Sequence, residues 1–386
     1  MILTNKREDY FLYPLFFYLC LFFHTAKVRQ VFETTKFFML KIIFLEKTIK
    51  MLARLKIMSY LCIIKLIKQK VMEEKKYKLT EESIGFSGRT LHRIEAIRDF
   101  DTIKKGDKGG FIESETNLSQ VGNAWVYYNA KVCDHACVSG NSQVYGEAKV
   151  WGFAKISGNA DVFGNANVSG YACVSGNADV YDNAIVCGNT KVIGNAEVFG
   201  NANVRDNACV GGNSKVCGHA NVYENASIYG DACVSGNSNV CGHVNVYENA
   251  SIYGDAKVSG YASIYDDAHV RENAVVFGNA SVCGDACVSG KCNVYDNAIV
   301  CGDADVCGYA LICGDACIRG DRDYIVFKNW WSSGRYFTWT RSNNMWKVGC
   351  FYGSGEKLIK KAYADSENVG QEYERVVKYV ESILGN

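Results

Sequence analysis

The sequence has almost no proline and an uneven distribution of glycine. Pro14 is the single proline among 386 residues, whereas glycine occurs 37 times and is absent before Gly85. This composition is unusual for a globular enzyme. The absence of glycine also sets residues 1–71 apart from the glycine-rich chain that follows.

The chain also lacks an excess of charge of one sign, since its formal net charge is +1. Its two parts differ, however. Residues 1–71 carry 13 Lys and Arg against 4 Asp and Glu, and the remainder carries 29 against 37. The main body is therefore mildly acidic, which excludes nucleic acid as an expected partner for it.

Residues 1–71 are rich in Phe, Leu, Ile, Lys and Tyr and lack a clear signal-peptide cleavage site. Residues 10–26 contain no charged side chain, and their 17 residues are at the short limit for a bilayer span. Three interpretations follow: upstream DNA read as protein, with the true start at Met72; a membrane or interfacial anchor; or a folded helical element. We expect a cytoplasmic protein, with anchoring through residues 10–26 as the alternative, and a membrane partner only if residues 1–71 are translated.

Residues 122–320 consist of a six-residue repeat, G-[ND]-A-x-V-x, without insertions. Of its 33 hexads, all have Val or Ile at the fifth residue, 27 have Ala at the third and 24 have Gly at the first. Because side chains two apart on a strand point to the same side, the Ala and Val columns predict one narrow core without room for a ligand. The Gly-Asn and Gly-Asp pairs tolerate positive φ and predict a bend in every hexad.

A coil of three hexads requires every third bend to stack. One column of bends is Asn or Asp at all 11 positions, whereas the other two columns are less uniform. The uniform column is Asn123, Asn141, Asn159, Asn177, Asn195, Asn213, Asp231, Asn249, Asp267, Asp285 and Asp303. The pattern predicts an all-β, three-sided parallel β-helix of about 11 coils, roughly 50 Å long at about 4.8 Å per coil.

Each open end of such a solenoid needs a cap. Residues 72–121 predict a small β-rich N-terminal cap. Residues 321–386 predict a C-terminal α+β cap, with strands over residues 324–329, 335–341 and 345–352 and helices over 356–364 and 371–384.

The hexads resemble those of the bacterial hexapeptide-repeat transferase superfamily, whose fold is a single-stranded left-handed parallel β-helix. The start of the body is similar to the YdcK-like proteins, which are assigned as transferases from their fold, and similar chains occur among prophage and polymer-forming cytoskeletal proteins. The segments that carry this similarity are Tyr77-Lys78-Leu79-Thr80, Ile97-Arg98-Asp99-Phe100, Gly109-Gly110-Phe111-Ile112, Asn117-Leu118-Ser119-Gln120 and Gly122-Asn123-Ala124-Trp125-Val126. The left-handed sense is an implication of this resemblance.

Acyltransferases of this superfamily place a His at a subunit seam, often beside a loop that interrupts the hexads. The resemblance thus implies an acyl-CoA-dependent enzyme at a trimer seam, but no loop interrupts residues 122–320. The γ-class carbonic anhydrases of the same fold bind zinc through three His, two of them five residues apart, and no two His here have that spacing. We therefore expect no metal site.

His269 and Cys287 are the catalytic candidates that the coil period brings together. They lie one predicted coil apart on an outer face, near enough for a nucleophile and its base, and Asp305 follows one coil further. Because Cys287 would stand between the other two residues, Asp305 would not orient His269. Coincidental stacking is the alternative interpretation.

Most of the 18 cysteines occupy outward positions beside Val. Cys283 and Cys287 straddle a bend, so chelation by this pair is not expected. Cys283 and Cys301 would stack and could form a disulfide. We expect instead reduced thiols in a cytosolic protein, with Cys serving as a small residue compatible with strands.

The candidate binding surface is one outer face of the first five coils. An aromatic column runs beside a polar column there: Tyr127, Tyr145, Phe163, Tyr181 and Phe199 beside Trp125, Gln143, Asp161, Asp179 and Glu197. Rings next to carboxylates and amides suit a glycan, and an exposed apolar patch equally suits a homotrimer or another self-assembly. Stacking of like side chains for the stability of the solenoid itself is the third interpretation.

The sequence therefore predicts a structural or binding scaffold of bacterial or prophage origin, without a cofactor. The unbroken hexads and the dry core favour this function. The alternative is a hexapeptide-repeat acyltransferase that acts at a subunit seam and uses acyl-CoA.

Overall fold

The computed structural model describes residues 26–73, 75–330 and 333–384. The chain divides into two compact units, Met1–Glu74 and Lys75–Asn386. In the first unit, helix α1 spans Ala26–Glu73 and exposes large apolar side chains such as Phe44. None of the helices described is long and apolar enough to cross a bilayer. The anchor considered at residues 10–26 lies outside the described residues except for its last residue.

The N-terminal cap is an antiparallel hairpin that continues into the solenoid. β1 (Tyr77–Phe86) and β2 (Arg89–Ala96) are joined by a tight turn at Ser87 and Gly88, which both have positive φ. β3 (Lys108–Ile112) pairs antiparallel with β2 and parallel with a strand of the first coil. The hairpin therefore extends one face of the solenoid.

The solenoid has three flat faces, and each 18-residue coil contributes one two-residue strand to each face, as predicted. The 33 strands are β4 to β36 in chain order. Face 1 contains Trp125–Val126, Gln143–Val144, Asp161–Val162, Asp179–Val180, Glu197–Val198, Lys215–Val216, Cys233–Val234, Ser251–Ile252, His269–Val270, Cys287–Val288 and Asp305–Val306. Face 2, which the hairpin extends, contains Lys131–Val132, Lys149–Val150, Asn167–Val168, Ile185–Val186, Asn203–Val204, Asn221–Val222, Asn239–Val240, Lys257–Val258, Val275–Val276, Asn293–Val294 and Leu311–Ile312. Face 3 contains Cys137–Val138, Lys155–Ile156, Cys173–Val174, Lys191–Val192, Cys209–Val210, Ser227–Ile228, Asn245–Val246, Ser263–Ile264, Ser281–Val282, Ile299–Val300 and Cys317–Ile318.

The inward side chains form one dry column of Ala and Val. Ala160 and Val162 are fully buried, as are their counterparts in the other hexads, and Val162 pairs in register with Val180 on the next coil. Each buried Val contributes roughly 1.5–3 kcal/mol to stability. Ser replaces Ala at Ser142 and Ser214, where each hydroxyl donates to the carbonyl three residues earlier at 2.7 Å. The buried hydroxyl of Ser238, a third such replacement, has no hydrogen-bond partner among the described residues.

Each hexad begins with a residue in the left-handed backbone region. All 33 first positions have positive φ, including the nine that are not glycine. At Gly158 a Cβ would lie 2.7 Å from the carbonyl oxygen of Gly176, so glycine is required by space as well as by φ. In seven exceptions an acidic side chain accepts the backbone N–H one coil ahead, which offsets the conformational cost. These acids are Asp134, Asp182, Asp206, Glu248, Asp266, Glu272 and Asp296.

The uniform column of bends lies between faces 3 and 1 and forms a ladder of side-chain amides. From Asn141 onward, each Asn of this column donates through Nδ2 to Oδ1 of the residue one coil ahead, at 2.8–3.0 Å. The run is Asn141, Asn159, Asn177, Asn195, Asn213 and Asp231. Asp231 stands at the accepting end, because a carboxylate accepts but cannot donate further. These bonds account for the column and confirm the 18-residue coil.

The C-terminal cap is a four-stranded antiparallel meander followed by two helices. Its elements are β37 (Tyr324–Lys328), β38 (Tyr336–Thr340), β39 (Met345–Val348), β40 (Phe351–Gly353), α2 (Gly355–Asp365) and α3 (Glu367–Leu384). The predicted third strand over residues 345–352 is wrong in one respect: it is two strands, because Gly349 takes a positive φ of 55° and turns the chain. Both helices begin earlier than predicted. Phe337, Trp346 and Val377 lie in the shared core of sheet and helices.

The N-terminal end of the solenoid exposes backbone carbonyls, and the cap supplies their donors. The buried Lys76 ammonium donates to the carbonyls of Gly122 and Ala124 at 3.1 and 2.6 Å. The buried Asn117 amide donates to the carbonyls of Asp134 and Ala136. The first coil is therefore closed by two polar side chains as well as by β3.

The C-terminal end exposes backbone N–H groups, and the opposite cap supplies their acceptors. Asp305 and Arg319 donate to carboxylates of Asp321 and Asp323 at 3.0 and 2.8 Å. The remaining contacts of this kind run from Cys307 to Tyr324, from Leu311 to Thr338 and from Cys317 to Ser342. Both ends are thus covered, which opposes addition of another solenoid end to end.

Lys76 gives the N-terminal cap a specific dependence on pH. Burial, and next the charge of Arg98, lower the pKa of Lys76 to about 8. Between about pH 8 and 10.5, Lys76 is therefore protonated in the unfolded chain and neutral in the folded chain. Because the unfolded chain binds more protons in this range, the contribution of Lys76 to the free energy of unfolding increases as pH rises. We expect the difference in thermal midpoint between wild type and Lys76→Met to grow from pH 7 to pH 9.5.

Differential scanning calorimetry of both proteins across this range measures that difference, and the titrating thiols affect both alike. Lys78→Met, on a half-exposed neighbour that pairs with Glu95, is the control and should show no such growth. A constant difference for Lys76→Met would contradict the assignment.

Candidate functional site

The aromatic column of face 1 is a stack of rings. Because the residue after each Val points outward and recurs every 18 residues, one side chain lies directly over the next. The distances between successive ring centroids are 4.7 Å from Tyr145 to Phe163, 4.8 Å from Phe163 to Tyr181 and 4.9 Å from Tyr181 to Phe199. The ring planes of each pair are within 3° of parallel. Tyr127 ends the stack edge-on, at 6.4 Å from Tyr145. These five residues are called the aromatic ladder below.

The stacking determines what the aromatic ladder can bind. A sugar needs a free ring face, and each inner ring has both faces covered by its neighbours at the spacing of the coils. The ladder therefore presents ring edges, and only the outer face of Phe199 is followed by a small residue, Cys217. This geometry suits contact with another flat, ridged surface better than stacking of a glycan.

Three carboxylates run beside the ladder. Asp161, Asp179 and Glu197 pair in register on successive strands of face 1. Burial, and next the charge of Asp179, raise the pKa of Asp161 to about 6. Burial and then Glu197 raise the pKa of Asp179, whereas a hydrogen bond from Lys215 lowers the pKa of Glu197. Tyr181 also donates its hydroxyl to Glu197 at 2.9 Å.

Trp125 does not belong to the exposed polar column in which the sequence placed it. It is 1% exposed, and its ring packs edge-on against Tyr77 and Phe100 of the N-terminal cap. Thr102 of the cap also hydrogen-bonds Tyr127. The accessible part of this column therefore begins at Gln143.

Face 1 carries acidic and basic side chains that form no ion pair within the chain. Among the residues that the structure describes, Asp161 and Asp179 form no ion pair. Further along the face, Arg271 hydrogen-bonds the Cys287 thiol and Tyr253, and its buried Nε has no hydrogen-bond partner. Among the described residues of face 1, acids without an ion pair thus lie in the third, fourth and eleventh coils, and a base without an ion pair lies in the ninth.

The structure places His269 and Cys287 on adjacent strands, with Asp305 one coil further, as the coil period predicted. The exposed His269 ring meets Tyr253 edge-on at 6.3 Å. Burial raises the pKa of the Cys287 thiol, which disfavours the nucleophilic thiolate, although the hydrogen bond to Arg271 opposes that shift. The hydrogen-bond partners described for Cys287 are therefore Arg271 and Ser289, not His269.

The remaining histidines of the solenoid stack on aromatic neighbours or lie exposed at corners. His135 stacks on Phe153 at 4.8 Å and His243 stacks on Tyr261 at 4.9 Å. No group of three or more His, Cys, Asp and Glu in the described part of the chain is placed to hold a metal ion.

Sixteen cysteines, from Cys133 to Cys350, are free thiols. Several contact a tyrosine hydroxyl on an adjacent coil, as Cys209 does with Tyr229, at 2.8 Å between Sγ and Oη. The pairs Tyr223 with Cys241, Tyr265 with Cys283 and Tyr295 with Cys313 repeat this contact. The thiols thus act as partners within the outer columns.

Two features were missed at the sequence level. The corner between faces 2 and 3 exposes Phe153 and Tyr171, stacked 4.8 Å apart; both interrupt the Asn pattern of the bends, which was the available signal. A cavity of about 240 Å³ in the C-terminal cap is lined by Arg335, Cys350 and Lys361, among others. Its lining residues come from separate strands and helices, so no local sequence motif predicted this cavity.

No family model matches the chain. Over 61 residues it is 41% identical to a protein of Escherichia coli (strain K12) named "Uncharacterized acetyltransferase YdcK". This match covers 14% of this chain and 19% of that protein, so the chain spans about a fifth of the length of the curated relative it matches. The match and the stacked coils both fit the hexapeptide-repeat superfamily. Any transferase activity is a proposal.

The carboxylates of face 1 should make stability depend on pH. Because Asp179 has a raised pKa in the folded chain, its contribution is complete below its unfolded pKa, near 3.9, and is lost as pH rises through the folded value. We expect Asp179→Asn to raise the thermal midpoint at pH 7.5 by about 1–2 °C, a small value because the group is partly exposed. The gain should vanish near pH 4.

Thermal unfolding at the two pH values measures the effect. Asp255→Asn is the matched control, because the carboxylate of Asp255 accepts a hydrogen bond from the amide of Asn237 instead of facing another carboxylate. An equal gain for Asp179→Asn at both pH values would argue against carboxylate repulsion.

Proposed function

We propose that this chain is a non-catalytic β-solenoid scaffold of a bacterium or its prophage that works through contacts of its outer faces. The observation that carries the proposal is the uninterrupted stack of coils. Each of the three faces has 11 strands in register, and the Ala and Val side chains inside are fully buried. Such a body offers a long rigid surface and no interior site.

The caps restrict how a scaffold of this kind would assemble. Lys76 and Asn117 occupy the carbonyls of the first coil, and acceptors such as Asp321 and Asp323 occupy N–H groups of the last. Growth by end-to-end stacking is therefore opposed. Assembly is expected to be lateral, through the faces, rather than by the polymer growth that a cytoskeletal role would require.

The free thiols support a reducing compartment. Sixteen cysteines stand unpaired along and beyond the solenoid, and several lie close to one another in the outer columns. A cytoplasmic location fits this pattern, because an oxidising compartment would favour disulfides between such neighbours.

The second candidate is an acyltransferase, favoured by the similarity to the protein named "Uncharacterized acetyltransferase YdcK". His269 would be its base at a subunit seam, with acyl-CoA as the donor. Against it, the hexads carry no loop that would cradle a donor, and the neighbouring thiol of Cys287 is held by Arg271 rather than by His269.

Binding of acetyl-CoA by the full chain separates the two functions. We expect no saturable heat in isothermal titration calorimetry, and no release of CoA when acceptors are supplied, because no enclosed donor site is built on the faces. His269→Ala should behave as wild type in both assays. Saturable binding that His269→Ala abolishes would replace the scaffold by the transferase.

A further inference from the structure

We infer that face 1 is an interface between two antiparallel copies of this chain, related by a two-fold axis that crosses the face at the sixth coil, near Lys215 and Cys217. This inference rests on the proposed scaffold function, since it names the partner that the scaffold's face would contact. It is carried by the distribution of charge and side-chain size along the face.

The symmetry follows from the length of the face. Face 1 has 11 strands, so the strand Lys215–Val216 is the middle one. A two-fold axis parallel to that strand places the two copies face to face over the full length of the solenoid. The coils of one copy then run in the opposite order to those of the other. The third coil then meets the ninth, and the residue before each Val meets its equivalent on the partner, because the strand direction is kept.

Charge pairs across this axis. Asp161, in the third coil, comes opposite His269 in the ninth, with Arg271 beside it. Within one chain the two groups are six coils apart, about 29 Å at about 4.8 Å per coil, so they cannot pair there. The acid without an ion pair and the guanidinium with an unpartnered Nε thus become partners only in a second copy.

Size also pairs across the axis. Two large rings of the aromatic ladder meet small residues of the other half: Tyr145 meets Ser289 and Phe199 meets Ser235. Phe163 meets Arg271, which suits a cation over a ring, and Tyr181 meets Tyr253. The ring edges would enter the spaces that the small residues leave.

A parallel arrangement of the same faces is disfavoured. It would place Asp161 and Asp179 opposite the partner's Phe163 and Tyr181, in the same coils and away from Arg271. Asp161 would then be buried without a cation, at a large desolvation cost, whereas the antiparallel order brings it beside Arg271. The charges therefore select the antiparallel order.

The area is sufficient for a stable dimer. The caps cover the first and last coils, where Thr102 bonds Tyr127 and Tyr324 bonds Asp305. The nine coils between them span about 43 Å by about 15 Å, or roughly 1,300 Å² over both copies, within the usual range for specific interfaces.

A zero-length cross-link tests the register. In the full-length Arg271→Lys variant, carbodiimide should join the Asp161 carboxylate of one copy to the amine introduced at position 271 of the other, and peptide mass spectrometry should detect the pair. No cross-link within one chain can span six coils. Asp161→Asn in the same background should abolish it. Coupling of Asp161 to lysines of face 2 or face 3 instead would indicate a different seam, such as a trimer, and overturn the proposal.

A charge exchange tests the energetics. Asp161→Lys and Arg271→Glu should each weaken the dimer about tenfold or more in light scattering at low salt, because each sets like charges opposite each other. An equal mixture of the two variants should restore the dimer, since every contact is then opposite in sign. Glu224→Lys and Lys155→Glu, which make the same charge changes away from face 1, should have no effect.

The outcomes separate the two proposals. Folded variants that fail to complement in the mixture, or a wild-type monomer at all accessible concentrations, would overturn the interface and leave the scaffold in place. Saturable acetyl-CoA binding would overturn the scaffold whichever way the mixing experiment ends.

Discussion

The left-handed backbone conformation at the first residue of every hexad is the constraint on which the structure depends. It turns the chain after a fixed number of residues, so each position returns to the same column after 18 residues. The dry core, the three faces and the stacked outer columns all follow from this return. Where glycine is absent, an acid such as Asp182 accepts the N–H of Gly200 one coil ahead. This bond works against a conformational cost of about 1–2 kcal/mol.

Stacking places like side chains next to each other, which stabilises some columns and destabilises others. Asn is self-complementary in a column, because its amide both donates and accepts, and the run from Asn141 to Asn213 uses both functions. Aromatic rings are also self-complementary at the coil spacing. Carboxylates are not, since neighbours only repel. The adjacent Asp161 and Asp179 therefore repel each other within the solenoid. A cation from another molecule on face 1 would reduce this repulsion.

Much of the fold could be predicted from the hexads alone. Inward Val and Ala, the bends, the 18-residue coil and the stacked columns depend on local periodicity, which a single sequence displays. The caps depend on contacts between distant residues. Nothing near Lys76 in the sequence indicates that its ammonium donates to the carbonyls of Gly122 and Ala124. The hexad pattern predicts that Trp125 points outward, but it does not show that the N-terminal cap buries this side chain. The aromatic column was predictable, but the nearly parallel planes that occupy the ring faces were not.

The direction of the hydrogen bonds gives the solenoid a polarity. The second, fourth and sixth residues of a hexad donate toward the C-terminal end, as Asn141, Gln143 and Tyr145 do to the next coil. One end is therefore rich in carbonyl oxygens and the other in N–H groups, the reverse of an α-helix. The caps match this sense, with Lys76 at the carbonyl end and Asp321 and Asp323 at the N–H end. A cap moved to the opposite end would bring like partial charges together, so coils can be added or removed between the caps, but the caps cannot be exchanged.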